Sequence, residues 1–156
     1  MVEQMRRGYT LIEVVVVLLV VAVAAGVIAP SIGRSVESLR FRAEVAGIGS
    51  FLRSARERAI TQNLPYEVAI DLDKRALSMR AVGSSPEQGP GGILATKQLS
   101  PQLLITPDPP DVRTVGFSPQ GLSTGGRLRV DSPGISSYVV TIDALTGQVS
   151  VGRSAP

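Results

Sequence analysis

Residues 121–125 (Gly-Leu-Ser-Thr-Gly) have the spacing of the G-x-S-x-G nucleophile elbow, in which a serine hydroxyl attacks an acyl group. That chemistry needs a base beside the serine and a turn that leads from a strand into a helix. The chain contains no histidine, and no helical pattern follows Ser123. A Ser-Lys variant would have to use Lys74 or Lys97. We therefore interpret the match as accidental and predict a protein that is not an enzyme. A membrane-anchored hydrolase that uses Ser123 is kept as a third hypothesis, after the two that are given at the end of this section.

Two other short motifs could bind ions. Asp71-Leu72-Asp73 could present two carboxylates to a hard cation, but they stand at an expected hairpin end, where turn carboxylates are usually solvated. Gly125-Gly126-Arg127 lacks the lysine and the following helix of a phosphate-binding loop, so it is predicted to form a hairpin turn. Because cysteine and histidine are absent as well, we expect no disulfide, no metal site and no cofactor.

One ionisable residue, Glu13, lies near the start of a strongly apolar segment. From Leu11 to Pro30, 17 of 20 residues are apolar, and residues 14–33 are all uncharged. Twenty helical residues span about 30 Å, the thickness of the hydrocarbon core of a bilayer. A lone strand would leave its backbone unpaired in lipid, so a transmembrane helix is predicted over residues 9–33. A signal peptide and a plain anchor both leave Glu13 unexplained, because an acidic group near lipid usually has a partner or a role.

The next part of the chain has the periodicity of an amphipathic helix. Apolar side chains recur at spacings of three and four residues, at Phe41, Val45, Ile48, Leu52, Ala55 and Ala59. One face of residues 34–63 should therefore pack on a globular domain. Asn63-Leu64-Pro65 is a natural stop, because proline disfavours helix in the residue before it. A single long helix is thus predicted from about Tyr9 to Gln62.

Residues 64–156 contain most of the glycines and prolines, so short strands are expected there. Runs of β-branched and aromatic residues between turn residues predict eight of them. They are Tyr66 to Ile70, Ala76 to Val82, Ile93 to Leu99, Leu103 to Thr106, Arg113 to Phe117, Arg127 to Val130, Tyr138 to Ile142 and Gln148 to Val151. Their regular spacing favours a sandwich or two packed sheets against the helix, with a flexible loop at residues 83–92.

The residues before the apolar run resemble a known processing signal. Arg6-Arg7-Gly8-Tyr9-Thr10-Leu11-Ile12-Glu13, followed by a run of valine and leucine, is similar to the class III signal of type IV prepilins and type II secretion pseudopilins. In that family a prepilin peptidase cuts after the glycine and methylates the new N-terminus. The resemblance implies a leader at residues 1–8, cleavage between Gly8 and Tyr9, and N-methylation of Tyr9, where the family usually has phenylalanine. The apolar helix would then remain in the mature chain.

The same resemblance implies a role for Glu13 in subunit assembly. In the family this glutamate faces the positive N-terminal amine of a neighbouring subunit, and the pair sets the axial register. Opposite charges attract more strongly in a packed, low-dielectric filament than in water. The competing interpretation is that the Glu13 carboxylate merely reaches the lipid headgroups.

A second resemblance lies in the C-terminal part. Residues 115–128 (VGFSPQGLSTGGRL) and 138–149 (YVVTIDALTGQV) are similar to the domain shared by GspH-type minor pseudopilins and FimT-type minor pilins. The predicted fold class is α+β, with a long N-terminal helix packed on a pilin-like, antiparallel β-sandwich-like domain at residues 64–156. Turns are expected at residues 119–121, 125–126 and 146–147.

The function implied by the resemblance is that of a minor pseudopilin of a type II secretion system. Such a subunit spans the inner membrane once, has its C-terminal domain in the periplasm and joins a pseudopilus that drives protein export. Its implied partners are other minor and major pseudopilins, the prepilin peptidase and the inner-membrane assembly platform. The alternative is a FimT-type minor pilin of type IV pili, whose members can bind DNA through a basic tail. Residues 147–156 contain one arginine, Arg153, so a nucleic-acid partner is not expected.

Overall fold

The computed structural model describes residues 9–83, 92–134 and 136–154, and the side chains of residues 27–35 lie outside this description. The described residues form one long helix and eight strands. The helix is α1 (Leu11–Gln62), and the strands are β1 (Tyr66–Asp71), β2 (Ala76–Ala81), β3 (Ile93–Gln98), β4 (Leu104–Asp108), β5 (Thr114–Phe117), β6 (Gly126–Ser132), β7 (Ser136–Ile142) and β8 (Val149–Arg153). All eight predicted strands are confirmed, with ends within about two residues of the prediction. Most of the loop predicted at residues 83–92 lies outside the described residues.

The C-terminal end of α1 is closed by its own backbone. Asn63 has a left-handed φ of 53°, a conformation that asparagine tolerates better than most residues. The Leu64 N–H then turns back and donates to the Ala59 carbonyl oxygen at 3.2 Å. This bond is typical of a Schellman motif, and Pro65 follows where the helix could not continue. The helix end predicted at Gln62 is confirmed.

The strands form two four-stranded antiparallel sheets. Sheet A has the strand order β3-β2-β1-β5, and sheet B has the order β4-β6-β7-β8. In sheet B, Val130 of β6 lies between Ile105 of β4 and Tyr138 of β7. Along the central strands β1 and β6, every second residue is buried in the core-facing part of the strand, as expected where one sheet face covers a core.

The chain crosses from sheet A to sheet B between β5 and β6. The hairpin turn predicted at Gly125-Gly126 is therefore wrong, because the strands on either side belong to different sheets. The connecting loop folds back on β5 through a bridge between Phe117 and Ser123. Gly125 and Gly126 have φ values of 72° and 138°, so they do allow a sharp change of direction, but between sheets.

The hydrophobic core lies between one face of α1 and the inward faces of both sheets. Ile48 and Leu52 are fully buried in the same cluster as Val68 of sheet A and Val140 of sheet B. Burial of one such side chain contributes about 1.5–3 kcal/mol. The predicted apolar stripe is confirmed, since every member is buried: Phe41, Val45, Ile48, Leu52, Ala55 and Ala59.

The chain divides into two compact units, one that ends at Leu39 and one that begins at Arg40. The first contains the apolar part of α1. The second contains the amphipathic part of α1 together with both sheets, and it holds the whole hydrophobic core.

Candidate assembly site

Glu13 lies in the first turn of α1, where Thr10 caps the helix. The Glu13 N–H donates to the Thr10 carbonyl oxygen at 3.1 Å and lies 3.4 Å from Thr10 Oγ1. The two residues have the Thr-x-x-Glu spacing of a capping box, in which the threonine hydroxyl serves the N–H three residues later. The helix begins at Leu11, two residues after the predicted start, because Thr10 acts as its cap. The Glu13 charge also lies at the positive end of the helix dipole.

The Glu13 carboxylate is exposed and makes no hydrogen bond or ion pair with the described residues. Tyr9, four residues before it, is 83% exposed. Both groups are therefore accessible to another molecule. Gly8 belongs to residues 1–8, which lie outside the described part of the chain. Cleavage between Gly8 and Tyr9 and methylation of Tyr9 stay predictions.

An apolar surface follows Glu13 along α1. The large side chains from Val14 to Val23 are exposed, and because they occupy nearly every position they lie on all sides of the helix. A helix that is apolar all round is normally covered by lipid or by protein. Within residues 9–83, 92–134 and 136–154, no helical stretch is apolar enough over a sufficient length to traverse a bilayer. The membrane segment predicted at 9–33 includes residues 27–33, whose side chains are outside the described part.

The hydroxyl of Ser123 is used for backbone contacts. Ser123 Oγ donates to the Asp143 carbonyl oxygen at 2.8 Å and accepts from the Gly125 N–H at 3.0 Å. No helix follows it in the described residues, and the two candidate bases are engaged elsewhere: Lys74 is ion-paired in the β1–β2 turn, and Lys97 lies against α1. The geometry supports the interpretation that the G-x-S-x-G match is accidental.

Asp71 closes the turn between β1 and β2. Its Oδ1 accepts from the Lys74 N–H at 2.8 Å, and Lys74 Nζ lies 3.5 Å from Oδ2. The hydrogen bond from the Lys74 backbone holds the pKa of the Asp71 carboxyl below its usual value. The turn predicted for residues 71–73 is confirmed, and no group of three or more acidic residues in the described ranges is arranged to hold a metal ion.

Asp143 organises the turn between β7 and β8 in a similar way. Its Oδ1 accepts from the N–H groups of Leu145 and Thr146 at 3.0 and 2.8 Å, and from Thr146 Oγ1 at 2.9 Å. The hydrogen bonds from Thr146 lower the pKa of the Asp143 carboxyl. The turn predicted at residues 146–147 is confirmed, and it leaves the Leu145 side chain 81% exposed.

A contact that sequence patterns did not reveal joins α1 to two loops of the sheets. Arg56 Nε donates to the Gly121 carbonyl oxygen at 3.1 Å. A Cβ atom on Gly147 would lie 2.1 Å from that same oxygen and 2.8 Å from Arg56 Nε. Gly121 and Gly147 have φ values of 84° and 61°, so the backbone conformation favours glycine at both, and space requires it at Gly147 as well. We call this contact the Arg56–Gly121–Gly147 junction.

Two family matches cover most of the chain. Residues 4–29 match the Prokaryotic N-terminal methylation motif. Residues 44–146, about two thirds of the chain, match the family Type II transport protein GspH. The chain belongs to the GspH family. Both resemblances drawn from the sequence are thereby confirmed, and Glu13 lies inside the matched methylation motif. No curated protein matches this GspH-family chain.

Solved structures with the same fold include a minor pilin and a minor pseudopilin. The type IV minor pilin FimU of Pseudomonas aeruginosa is 17% identical, with a TM-score of 0.61 over 74% of this chain and 90% of FimU. The minor pseudopilin EpsH of the Vibrio cholerae type 2 secretion system is 17% identical, with a TM-score of 0.54 over 74% of this chain and 96% of EpsH. At this identity the likeness shows the fold, and it confirms that the GspH-family chain is α+β and pilin-like. The family is one of structural pilins and pseudopilins.

Two features of the GspH-family chain were missed from sequence. The helix cap at Thr10 had a visible signal, the Thr-x-x-Glu spacing before an apolar run. The Arg56–Gly121–Gly147 junction had none beyond the glycines themselves, because its three residues are far apart in the chain.

Proposed function

We propose that this chain is a minor pseudopilin of a type II secretion system, which assembles with other pseudopilins into a periplasmic filament that drives protein export. The observation that carries the proposal is the GspH match over residues 44–146. The shared fold with EpsH, a minor pseudopilin of such a system, supports it. The proposed role is structural, and no residue is assigned to catalysis.

The proposed processing follows from the N-terminal motif. The prepilin peptidase removes residues 1–8 and methylates the new amine of Tyr9, and the methylation motif at residues 4–29 supports this step. The uncharged segment 14–33 stays in the mature chain and holds it in the inner membrane, with residues 64–156 in the periplasm. The chain remains there until the assembly platform incorporates it into the filament. Mass spectrometry of the mature protein should find residues 1–8 missing and one methyl group added. An intact leader in the assembled protein would contradict the proposal.

Glu13 is proposed to pair with the N-terminal amine of a neighbouring subunit. Its carboxylate is exposed, free of partners in the described residues and next to an apolar surface. When that surface is covered by other subunits, the local dielectric falls and an unpaired carboxylate becomes costly. A neighbouring amine removes that penalty at one axial position only, so the pair sets the register between subunits.

The way the helix is capped makes a sharp test possible. Glu13→Gln removes the charge but leaves the helix start intact, because the contacts to Thr10 are made by the Glu13 backbone N–H. We expect Glu13→Gln and Glu13→Ala both to lose co-purification of the other pseudopilins and export of protein to the medium. Glu37→Ala, which removes an exposed carboxylate from the same helix, should retain both. If Glu13→Gln behaved like the wild type, the charge pair would not be the role of Glu13.

A second candidate is a minor pilin of type IV pili, because the fold is also shared with FimU at a TM-score of 0.61. A strain that lacks the protein separates the two. The secretion proposal predicts loss of exported proteins from the medium with surface pili retained, and restoration by the full chain. Loss of pili with normal export would favour the pilin. DNA binding that persists at physiological salt would favour a role in DNA uptake, because such binding requires several phosphate contacts.

A further inference from the structure

A small apolar cavity opens where the β1–β2 turn meets the β3–β4 connection. Its volume is about 170 Å³, and its walls include Leu72, Leu99, Leu103 and Leu104. A cavity of about 150 Å³ lined by such residues is large enough to bind benzene. This cavity therefore has room for one aliphatic side chain.

A positive charge lies in the wall of the same cavity. Arg75 lines it, and the Arg75 guanidinium donates through Nη1 to the Pro101 carbonyl oxygen. Arg75 makes no ion pair with the described residues, so its charge is not neutralised by a carboxylate there. An apolar group with a carboxylate beside it would satisfy both parts of this cavity.

The turn between β7 and β8 carries such a group. Leu145 is the most exposed large apolar side chain in the described part of the unit that begins at Arg40. The Asp143 carboxylate lies two residues before it and uses Oδ1 for the turn, while Oδ2 makes no hydrogen bond with the described residues. An isolated leucine on a turn gains by burial in another molecule, because its own chain covers so little of it.

The turn lies at the end of the domain near Arg56. Ser123 bonds to the Asp143 and Ala144 carbonyl oxygens, and the same loop is tied to α1 by the bond from Arg56 to Gly121. Leu145 is therefore presented at the end where α1 approaches its C-terminus.

The cavity lies at the opposite end. Leu104, in the cavity wall, pairs with Asp131 of β6. Asp131 in turn pairs with Ser137 of β7, which is next to Tyr138. The Tyr138 ring packs edge-to-face on Phe41 of α1, with ring centroids 5.4 Å apart. Phe41 precedes Arg56 by a length of helix that corresponds to about 22 Å. The projecting leucine and the apolar cavity thus lie at the two ends of one domain.

We propose that the cavity binds Leu145 of a second copy of this chain, with Asp143 of that copy beside Arg75, in a head-to-tail contact. The two surfaces are different and lie at opposite ends, so the contact between the two copies is heterologous. The inference goes beyond the proposed function, which concerns contacts with other subunits, and does not depend on the choice between a secretion system and a pilus.

Cross-linking of the full chain tests the contact, because the natural chain has no cysteine. One population carries Ala144→Cys, beside the leucine, and the other carries Gln102→Cys, on the exposed turn beside the cavity. The two are purified in detergent, where no bilayer holds the copies in one plane, mixed and treated with a short bismaleimide. We expect a covalent dimer that contains one chain of each kind.

Two variants and one control define the outcome. Leu145→Ser and Arg75→Glu, each placed in the cysteine-bearing chains, should lower the dimer yield about tenfold, as expected for loss of one buried leucine or reversal of one charge. Ala144→Cys mixed with Ile93→Cys should give only background, because Ile93 is exposed at the same end of the domain as Ala144. Circular dichroism must show that the variants remain folded.

The inference is overturned if the Ala144 and Gln102 pair gives no more dimer than the Ile93 control. It is equally overturned if folded Leu145→Ser and Arg75→Glu chains cross-link as well as the parent pair. Normal export together with an absent cross-link would reject the head-to-tail contact and leave the proposed function standing.

Discussion

Replacing Gly147 by alanine should destabilise the domain by about 2.5–5 kcal/mol. A residue with a side chain at φ 61° bears a left-handed penalty of about 1–2 kcal/mol. The new methyl group would also lie 2.1 Å from the Gly121 carbonyl oxygen, so the oxygen must move away from Arg56. Loss of a hydrogen bond to a charged group adds about 1.5–3 kcal/mol. The two contributions are separate, one from the backbone conformation of residue 147 and one from the bond between Arg56 and the Gly121 oxygen, so we add them.

The expected change is large relative to the stability of a small domain, which is about 5–15 kcal/mol. Thermal unfolding of the full chain in detergent should show a fall in Tm of about 10–20 °C. Near-ultraviolet circular dichroism is a suitable probe, because Tyr66 and Tyr138 belong to or pack against the hydrophobic core. Urea unfolding at one temperature gives the free energy directly.

Two other glycines separate the contributions. Gly134 has a φ of 77°, but nothing lies within 4 Å of an added Cβ, so Gly134→Ala should lose only about 1–2 kcal/mol. Gly152 also has open space and no positive φ, and Gly152→Ala should change stability by less than about 0.5 kcal/mol. If Gly147→Ala were no more destabilising than Gly134→Ala, the steric role assigned to the junction would be refuted.

Two further changes test the core and the β7–β8 turn. Leu52→Ala removes a fully buried side chain and should lower the free energy of unfolding, measured in urea, by about 2.7–5 kcal/mol. Leu145→Ala changes an exposed side chain and should alter the free energy of unfolding by less than about 0.5 kcal/mol. Similar values for the two variants would place Leu52 outside the core. Because Thr146 lowers the pKa of Asp143, stability from this carboxylate is complete above the usual pKa of 3.8 and is lost as the pH falls through the lower value in the folded state. Asp143→Asn should therefore lower Tm at neutral pH and weaken its dependence on pH below 3.8, and unchanged pH profiles would argue against this role.

Local patterns predicted the elements of this fold well, because each element is bounded by residues with strong backbone preferences. The helix ends where Asn63 adopts a left-handed conformation before Leu64-Pro65, as the order of these residues indicated. The stripe on α1 is buried because its spacing of three and four residues places all its members on one helix face. These features depend on neighbours in sequence, which is why they could be inferred without a structure.

Sheet membership could not be predicted in the same way. Gly125 and Gly126 have the positive φ values of turn residues, and that property alone suggested a hairpin. Long-range pairing places the two strands in different sheets instead, since β5 pairs with β1 in sheet A while β6 lies between β4 and β7 in sheet B. A pair of glycines permits a reversal of direction but does not specify which strand lies beyond it.

The candidate site was predicted in part for a related reason. Glu13 was singled out because a charge in an apolar segment needs an explanation, and that argument requires no contacts. Its capping contact with Thr10 was also local and could have been recognised. The Arg56–Gly121–Gly147 junction and the opposite positions of Leu145 and the cavity depend on the pairing of strands, and no spacing in the sequence records them.

The two halves of α1 differ in how their apolar side chains are distributed around the helix. From Phe41 to Ala59 the apolar side chains form one stripe, and the sheets of the same chain bury it. From Val14 to Val23 they lie on every side and remain exposed, so a single domain on one face could not cover them. Only surroundings that enclose the helix, such as lipid or a bundle of neighbouring helices, remove that surface from water. In such surroundings the Glu13 charge would be stable only beside an opposite charge, and this is the physical basis of the register role that we propose for it.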